Sequence, residues 1–470
     1  MPTEYEHLGF MKIGEALKSD IFSLSALGTL IIVVNSAEDA DNLLEKRSNI
    51  YSDRFCPPML AEPSLMNLGK LVTLLGYNDR WKKSRRLLHP LVHKQAIETF
   101  YPALGHHARL LVQRLLIRSG EAITSETLDS ELYRNLAATL TESIYGYSIR
   151  TSDDSFAMSL KELAENATRA CLPSNFLVNV FPMLVHVPGW MPGAGWKRAA
   201  QKWREQQEST TNAAYEWTRA QMSQGKAGNT IISSVLQHAE ELGVPTDEKE
   251  DYVKQLAVTL FTAATDTTTQ TLLTLIQAML LFPEVQKKAQ EEIDSVVGLD
   301  RLPSFDDKPK LEYLERLTNE LLRWRPTVPS GVPHSCFEDD VYKGYRIPKG
   351  AIVFANVWAI TRNTTVYPDP ESFNPDRYLD PKVPIPPTFG FGRRSCPGVH
   401  YARASLFIAI TTILATFDIS YAKDAKGNDI VPVPESTNDL VYHPKPFKLR
   451  LVPRSEFRRK LIEAEEGEQN

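Results

Sequence analysis

Apolar residues run without a break through LGTLIIVVNS, residues 27–36, and stop at two polar ones, a pattern that predicts a buried strand ending at Asn35. Directly after it, SAEDADNLLEKRS takes up a helical period. Ser36 is the capping residue, and acidic side chains fill the first turn, where the unpaired N–H groups of a helix favour negative charge. A small sheet region is therefore expected to open the fold. From Trp81 to about Leu322 the period is helical almost throughout. One interruption is FPMLVHVPGWMPGAGW, 181–196, whose prolines and glycines forbid a regular helix while its aromatics are costly to expose. It needs an apolar neighbour, either the protein's own core or a membrane surface into which the loop dips beside an entrance.

The longest periodic run, from about Glu248 to Leu281, predicts a helix of roughly 50 Å at ~1.5 Å per residue, enough to cross a whole domain. It should be the central helix. After ELLRWRP the pattern changes to strand and turn signals, with YKGY and IPKG marking reversals between β-rich runs. A coil rich in Pro, Asp and Phe follows over 367–389, and YARASLFIAITTILATF then resumes a helical period. The polar end, 456–470, is expected to be disordered. The pattern as a whole predicts a mainly α fold with a small β region.

Composition narrows this picture. The chain has 470 residues, 42% of them hydrophobic and 24% charged, with 31 prolines spread along it, and no linker, charge block or repeat divides it, so a single domain over 1–470 is expected. A net charge of −5 argues against nucleic acid as a partner. Cys56, Cys171, Cys336 and Cys396 lie far apart with no C-x-x-C pair, which indicates neither a disulfide framework nor a zinc knuckle and fits a reducing compartment. No window supplies the ~18 apolar residues of a spanning helix, and the first twenty residues lack the apolar core of a signal peptide. The expectation is a chain that does not itself cross a membrane.

The densest chemistry lies in FGFGRRSCPG, 389–398. Cys396 immediately precedes Pro397 and Gly398, with a long helix starting within a few residues; free N–H groups at that start favour a thiolate. The glycines let the backbone turn and approach a flat object closely, and Arg394 can pair with a carboxylate on that object. A planar tetrapyrrole whose iron takes the sulfur and whose propionates take arginine meets all of these needs. For this segment alone the alternative is a structural cysteine in a Gly-rich turn.

Phe389, Gly392, Arg394, Cys396 and Gly398 fill F-x-x-G-x-R-x-C-x-G, which resembles the heme-binding signature of the cytochrome P450 monooxygenases. ELLR, with Glu320 and Arg323 one turn apart, resembles that family's E-x-x-R, and FNPDRYL resembles its aromatic-x-Pro-x-Arg element. The resemblance implies a buried Glu320, Arg323, Arg377 network that supports the heme-binding loop. WKKSR resembles the helix beside the heme, where Trp81 and Arg85 reach a propionate, and His334 in GVPHSC matches a strand position that contacts the other propionate. FTAATDTTT resembles the oxygen-handling segment of the central helix. It implies Ala263 beside the heme and Asp266 and Thr267 as the acid and alcohol that relay protons, with Ala264 where glycine is usual.

The implied fold is the triangular helical prism of the family, with the long central helix over heme b and Cys396 as axial ligand. The implied activity is insertion of one atom of O2 into an apolar substrate, with electrons from NADPH through a reductase. Cytochrome b5 is a further electron donor the resemblance allows. Lys82, Lys83, Arg86 and Arg393 would form the basic face that meets the reductase. Val258, Phe261, Thr262, Ala263, residues 327–332 and the segment near Leu440 are candidate pocket walls. RSNIYSDR and DDVYKGYRIPKG are most similar to fungal microsomal members, which implies secondary metabolism or xenobiotic oxidation. Such members begin with a membrane anchor and a proline-rich hinge. The chain is thus expected at the cytosolic face of the endoplasmic reticulum if a natural anchor precedes it, or soluble in the cytoplasm as it stands, and monomeric. The other readings are a reductase-independent heme-thiolate peroxygenase or isomerase, against which the acid-alcohol pair argues, and a heme sensor or carrier without turnover.

Overall fold

The computed structural model of the protein describes residues 2, 4–26, 28–149, 151, 154–172, 175–226 and 228–464. The run read as a buried strand forms Thr29–Val34, whose last four residues are buried, and Ser36 caps the following helix by accepting the Asp39 N–H at 3.1 Å. That helix continues into a π-helical turn, Asp41–Lys46. The strand joins a five-stranded sheet in the order Ile21–Ala26, Thr29–Val34, Ile352–Ala355, His334–Ser335, Asp53–Arg54. Only Thr29–Val34 and Ile352–Ala355 pair in parallel. This sheet brings two distant basic residues together, because Arg54 lies directly opposite His334 in the register. YKGY forms the expected reversal between Asp340–Tyr342 and Tyr345–Ile347, with Lys343 and Gly344 both at positive φ, as a two-residue hairpin turn requires.

The central helix spans Lys249–Leu281, 33 residues, and packs against Ser125–Tyr145, Val399–Thr416, Ser155–Cys171 and Glu312–Trp324. Phe261, Leu272, Leu275 and Ile276 of this helix share one core with Leu132 and Leu136 on one side and Phe407, Ile410 and Ile413 on the other. In its threonine-rich stretch the hydroxyls of Thr259, Thr262, Thr265, Thr267, Thr269, Thr271 and Thr274 are paired, since each donates to the carbonyl four residues back. These hydroxyls are satisfied within the helix itself. It runs unbroken through Ala264.

Two expectations need correction. Residues 456–464 are not disordered: Glu456–Ala464 is a helix, held by buried Ile462 and by Arg458, which reaches Asp294 at 3.2 Å and the Gly298 carbonyl at 2.8 Å. The final residues, 465–470, lie outside the described part. Among the described residues one helix, Val399–Thr416, is long and apolar enough to cross a bilayer, contrary to the reading that no window is; 78% of it is buried, as suits a core helix. The 181–196 segment divides its side chains. Leu184, Val185 and Trp196 pack on a core cluster that includes Met59 and Leu163, whereas Met183 and Trp190 are 72% and 79% exposed.

The ELLR helix, Glu312–Trp324, carries the buried ion network. Arg323 Nε and Nη2 donate to the two Glu320 carboxylate oxygens, both at 2.8 Å, and Arg377 Nε reaches the same carboxylate at 2.9 and 3.0 Å. The Asn374 N–H also donates to Glu320, at 2.8 Å, and the two guanidiniums bind the carbonyls of Thr361, Pro368, Pro370 and Ser372. One fully buried carboxylate thus pins the coil over 361–377 to the helix. Glu320→Ala is expected to cost about 3–5 kcal/mol, because it leaves two guanidiniums buried without their counter-charge. Equilibrium urea unfolding measures this as a lower midpoint, and an unchanged midpoint would contradict the role.

Candidate active site

The cysteine segment forms a closed loop. The Cys396 N–H donates to the Phe389 carbonyl at 2.8 Å and the Ser395 N–H to the Gly392 carbonyl at 3.0 Å, with Gly390 at φ +79° and Gly392 at φ +52°. The helix Val399–Thr416 begins directly after Gly398. Gly398 borders the sulfur, since a β-carbon there would lie 3.9 Å from Cys396 Sγ. Gly392 serves a different approach from the one expected. It faces the π-helical turn, where its N–H donates to Glu45 Oε2 at 2.5 Å and a β-carbon would run into the Leu44 carbonyl oxygen. Protein packing by itself therefore requires a glycine here.

Basic groups gather beside the loop. Arg394 is buried. Its Nε and Nη2 donate to the carbonyls of Ser52 and Leu75 at 2.6 and 2.7 Å, its guanidinium lies 4.2 Å from the centre of the Trp81 ring, and its Nη1 is buried with no partner. Arg85, one turn beyond Trp81 on the helix Asp79–Val92, donates to the Ser395 carbonyl at 3.1 Å and so ties that helix to the cysteine loop. His334 is buried and donates its Nδ1–H to the Tyr51 carbonyl at 2.7 Å. Burial first, then the nearby Arg54 guanidinium, pushes this imidazole well below its ordinary value, so the ring is neutral and Nε2 is an acceptor. The expected contact with a carboxylate needs a second proton on that ring.

Arg54 is the basic residue that sequence reasoning missed. Its Nη1 donates to the Pro333 carbonyl at 2.8 Å, its Nε is buried without a partner, and burial pulls its guanidinium down to about 9. Arg394 is likewise pulled down to about 9, by burial and then by Arg54, with Arg85 adding to the repulsion and Asp53 opposing it. The only signal in the sequence was an arginine ending RSNIYSDR, and nothing local tells it from a surface residue.

Cys396 itself is pushed up by burial, while the Gly398 N–H and the Arg85 charge pull the other way. Helix-start donors are present as expected, but they do not by themselves secure a thiolate. A coordinated metal does, since a ligating thiol is deprotonated outright.

On the central helix, Ala263 is exposed and Thr262, Asp266 and Thr267 are half-buried, so this turn borders open space rather than packed protein. Val258 and Phe261, expected as pocket walls, are 2% and 0% exposed and belong to core clusters instead. The Thr267 hydroxyl donates to the Ala263 carbonyl at 2.7 Å and keeps its lone pairs free to accept. Asp266 Oδ1 meets His443 Nε2 at 3.0 Å, a partner the sequence did not suggest.

The sequence pattern of the cytochrome P450 family matches residues 9–451. The chain belongs to the cytochrome P450 family. Cytochrome P450 monooxygenase 208 of Postia placenta is 37% identical over 472 residues, covering 99% of this chain and 89% of that protein. The cytochrome P450 monooxygenase claR of Ampulloclitocybe clavipes is 36% identical and covers 98% of this chain and 85% of its own. A zebra fish cytochrome P450 solved with abiraterone superposes with a TM-score of 0.79 over 96% of this chain and 99% of that one, at 24% identity, and shares the fold.

As a P450 monooxygenase the protein is an oxidoreductase that uses O2 and an organic substrate, and the family implies heme with a cysteine thiolate as axial ligand. The residues present fit that group. Arg394 and Arg54 each bury an unpartnered N–H, Arg54 and Arg85 both repel the Arg394 guanidinium with Asp53 opposing them, and Arg85 acts on the Cys396 thiol. A ligand bearing two carboxylates supplies the missing charge. Arg394→Gln is expected to lower heme affinity by about tenfold, the loss of one charge-assisted hydrogen bond. Soret absorbance per mole of purified protein measures it, and full heme content in the variant would overturn the assignment.

Proposed function

We propose that this P450 inserts one oxygen atom into an apolar organic substrate, drawing electrons from NADPH through a flavoprotein reductase, and that Cys396 is its axial thiolate. The observation that carries the reading is the cluster of Arg54, Arg85 and Arg394, in which Arg54 and Arg394 each keep a buried N–H without a partner and Arg85 reaches the Cys396 loop, a cradle with the charge and donors a dicarboxylate macrocycle needs. Bound heme supplies the site at which dioxygen is reduced and its oxygen transferred.

The chain supplies the rest. Cys396 donates electron density from a loop closed by its own N–H; Arg394, Arg54 and Arg85 fix the carboxylates, His334 joins them once a bound carboxylate's charge gives its ring the second proton, and Trp81 backs the Arg394 guanidinium. Thr267 and Asp266 move protons toward oxygen from the turn that borders open space. Thr262, Ala263 and Val332, the last 40% exposed, are assigned to the substrate side; Ala263 and Val332 are apolar and the Thr262 hydroxyl is turned to the Val258 carbonyl, which favours an apolar ligand.

The reductase, with cytochrome b5 as a possible second donor, is assigned to the basic face on which Lys82, Arg86 and Arg393 are exposed and Lys83 half-buried. The exposed Met183 and Trp190, with Phe181 and Met191 beside them, suit contact with a membrane surface, which supports a location at the cytosolic face of the endoplasmic reticulum. The relatives' fungal sources fit a role in secondary metabolism. The whole chain acts as one catalytic domain and as a monomer.

The test is NADPH consumption and product formation with a fungal reductase across a panel of apolar substrates. Turnover is expected for at least one of them. Asp266→Asn should slow product formation about 10²-fold, the usual contribution of a positioned acid. Thr267→Ala should divert consumed electrons to hydrogen peroxide. Absence of NADPH consumption with every substrate would favour a heme-binding sensor instead.

A further inference from the structure

The relay acid of the central helix is not free. Asp266 Oδ1 lies 3.0 Å from His443 Nε2, and His443 Nδ1 lies 3.4 Å from Asp439 Oδ2, so one imidazole bridges a half-buried carboxylate on the helix and a carboxylate nearer the surface. The bridge is held at its outer end. Thr437 Oγ1 donates to Asp439 Oδ2 at 2.7 Å, and the Thr437 N–H donates to the His443 carbonyl at 2.9 Å. The Tyr442 N–H donates to the Thr327 carbonyl at 2.8 Å, which docks the same segment beside the ELLR helix.

We propose that His443 is the positioning partner of Asp266: it orients that carboxylate from behind and, through Asp439, connects it to solvent protons. The proposal rests on the reading of Asp266 as the relay acid. A carboxylate that gives up a proton in each cycle needs a donor to restore it. An imidazolium hydrogen-bonded to that carboxylate is such a donor: it gives up Nε2–H and keeps Nδ1–H, and a flip of the ring then turns the bare nitrogen to the Asp439 end, where a proton from water restores the imidazolium. Protons balance, since each one delivered inward is replaced by one from solvent.

The surroundings keep the imidazole charged. Burial alone would lower its affinity for a proton, but the hydrogen bonds and charges of Asp266 and Asp439 override this and raise it to about 10. Asp129, on the helix Ser125–Tyr145, is a third carboxylate in range, and its own partner is the Gln270 amide at 2.6 Å. Lys161 offsets part of that charge from the helix Ser155–Cys171, where Glu165 also lies, and Tyr133 beside them is pushed up by burial and stays neutral. With a folded value above the unfolded one, the pair's contribution to stability is full below about pH 6.5 and is lost as pH rises through about 10.

The test uses the heme-loaded enzyme in two independent readouts. In the diamagnetic ferrous–CO state, NMR of ring-labelled histidine follows His443, assigned by its loss in His443→Gln. The proposal predicts that this ring stays protonated through pH 8 and that its titration midpoint drops by at least about one unit in Asp266→Asn. In turnover, His443→Gln and His443→Ala should lower kcat about tenfold with KM within about twofold, raise the solvent isotope effect, and send more of the consumed NADPH to hydrogen peroxide. Asp439→Asn should do the same to a smaller degree. If Asp266→Asn is crippled while the His443 variants match the parent in rate and isotope effect, or if His443 titrates near 6.5 in the parent, the inference fails alone. If Asp266→Asn itself turns over normally, the reading of the relay acid fails first.

Discussion

Buried positive charge without a matching negative charge is the condition on which the site depends. Arg54 and Arg85 both repel the Arg394 guanidinium, and Asp53 opposes them there. Folding alone leaves that arrangement costly, because desolvation weakens the hold of Arg54 and Arg394 on their own protons and leaves one donor of each unpaired. A dianionic ligand converts the cost into binding. The same electrostatics act on Cys396, which burial keeps protonated until a metal takes the sulfur.

Such a cradle works only if its walls do not relax, and the chain holds them by burying polar groups in pairs. Glu320 takes both arginines and a backbone N–H, so the coil leading toward the cysteine loop is fixed to the core rather than left to drift. Gly392 lets that loop press against the π-helical turn of Asp41–Lys46, while Arg85 ties it to the helix of Trp81. On the far side the central helix satisfies its threonines internally, which lets it border open space at Ala263 without losing its regular form.

What was legible in the sequence was what is local. The i, i+3 pair Glu320–Arg323, the central helix and the Ser36 cap all rest on residues a turn or less apart, and each stands in the structure as read. What was missed depends on contacts between distant segments. His443 meets Asp266 across 177 residues, Arg54 meets His334 only through strand register, and Gly392 answers to Leu44 on another element. The terminal helix was read as disorder because its stretch is polar, and its order comes from Arg458 and Ile462 docking on other elements. Substrate preference belongs to the same class, since Val258 and Phe261 proved to be core while neighbours one turn away border open space.

The central claim, that Cys396 is the thiolate ligand of a heme held by the arginine cradle, is tested most directly by the absorption spectrum of the dithionite-reduced protein with and without carbon monoxide. The account predicts the red-shifted Soret band of thiolate-ligated heme in the parent protein, kept when Cys56, Cys171 or Cys336 is replaced by serine and lost in Cys396→Ser. A colourless parent protein, or a band that survives the loss of Cys396, would contradict it.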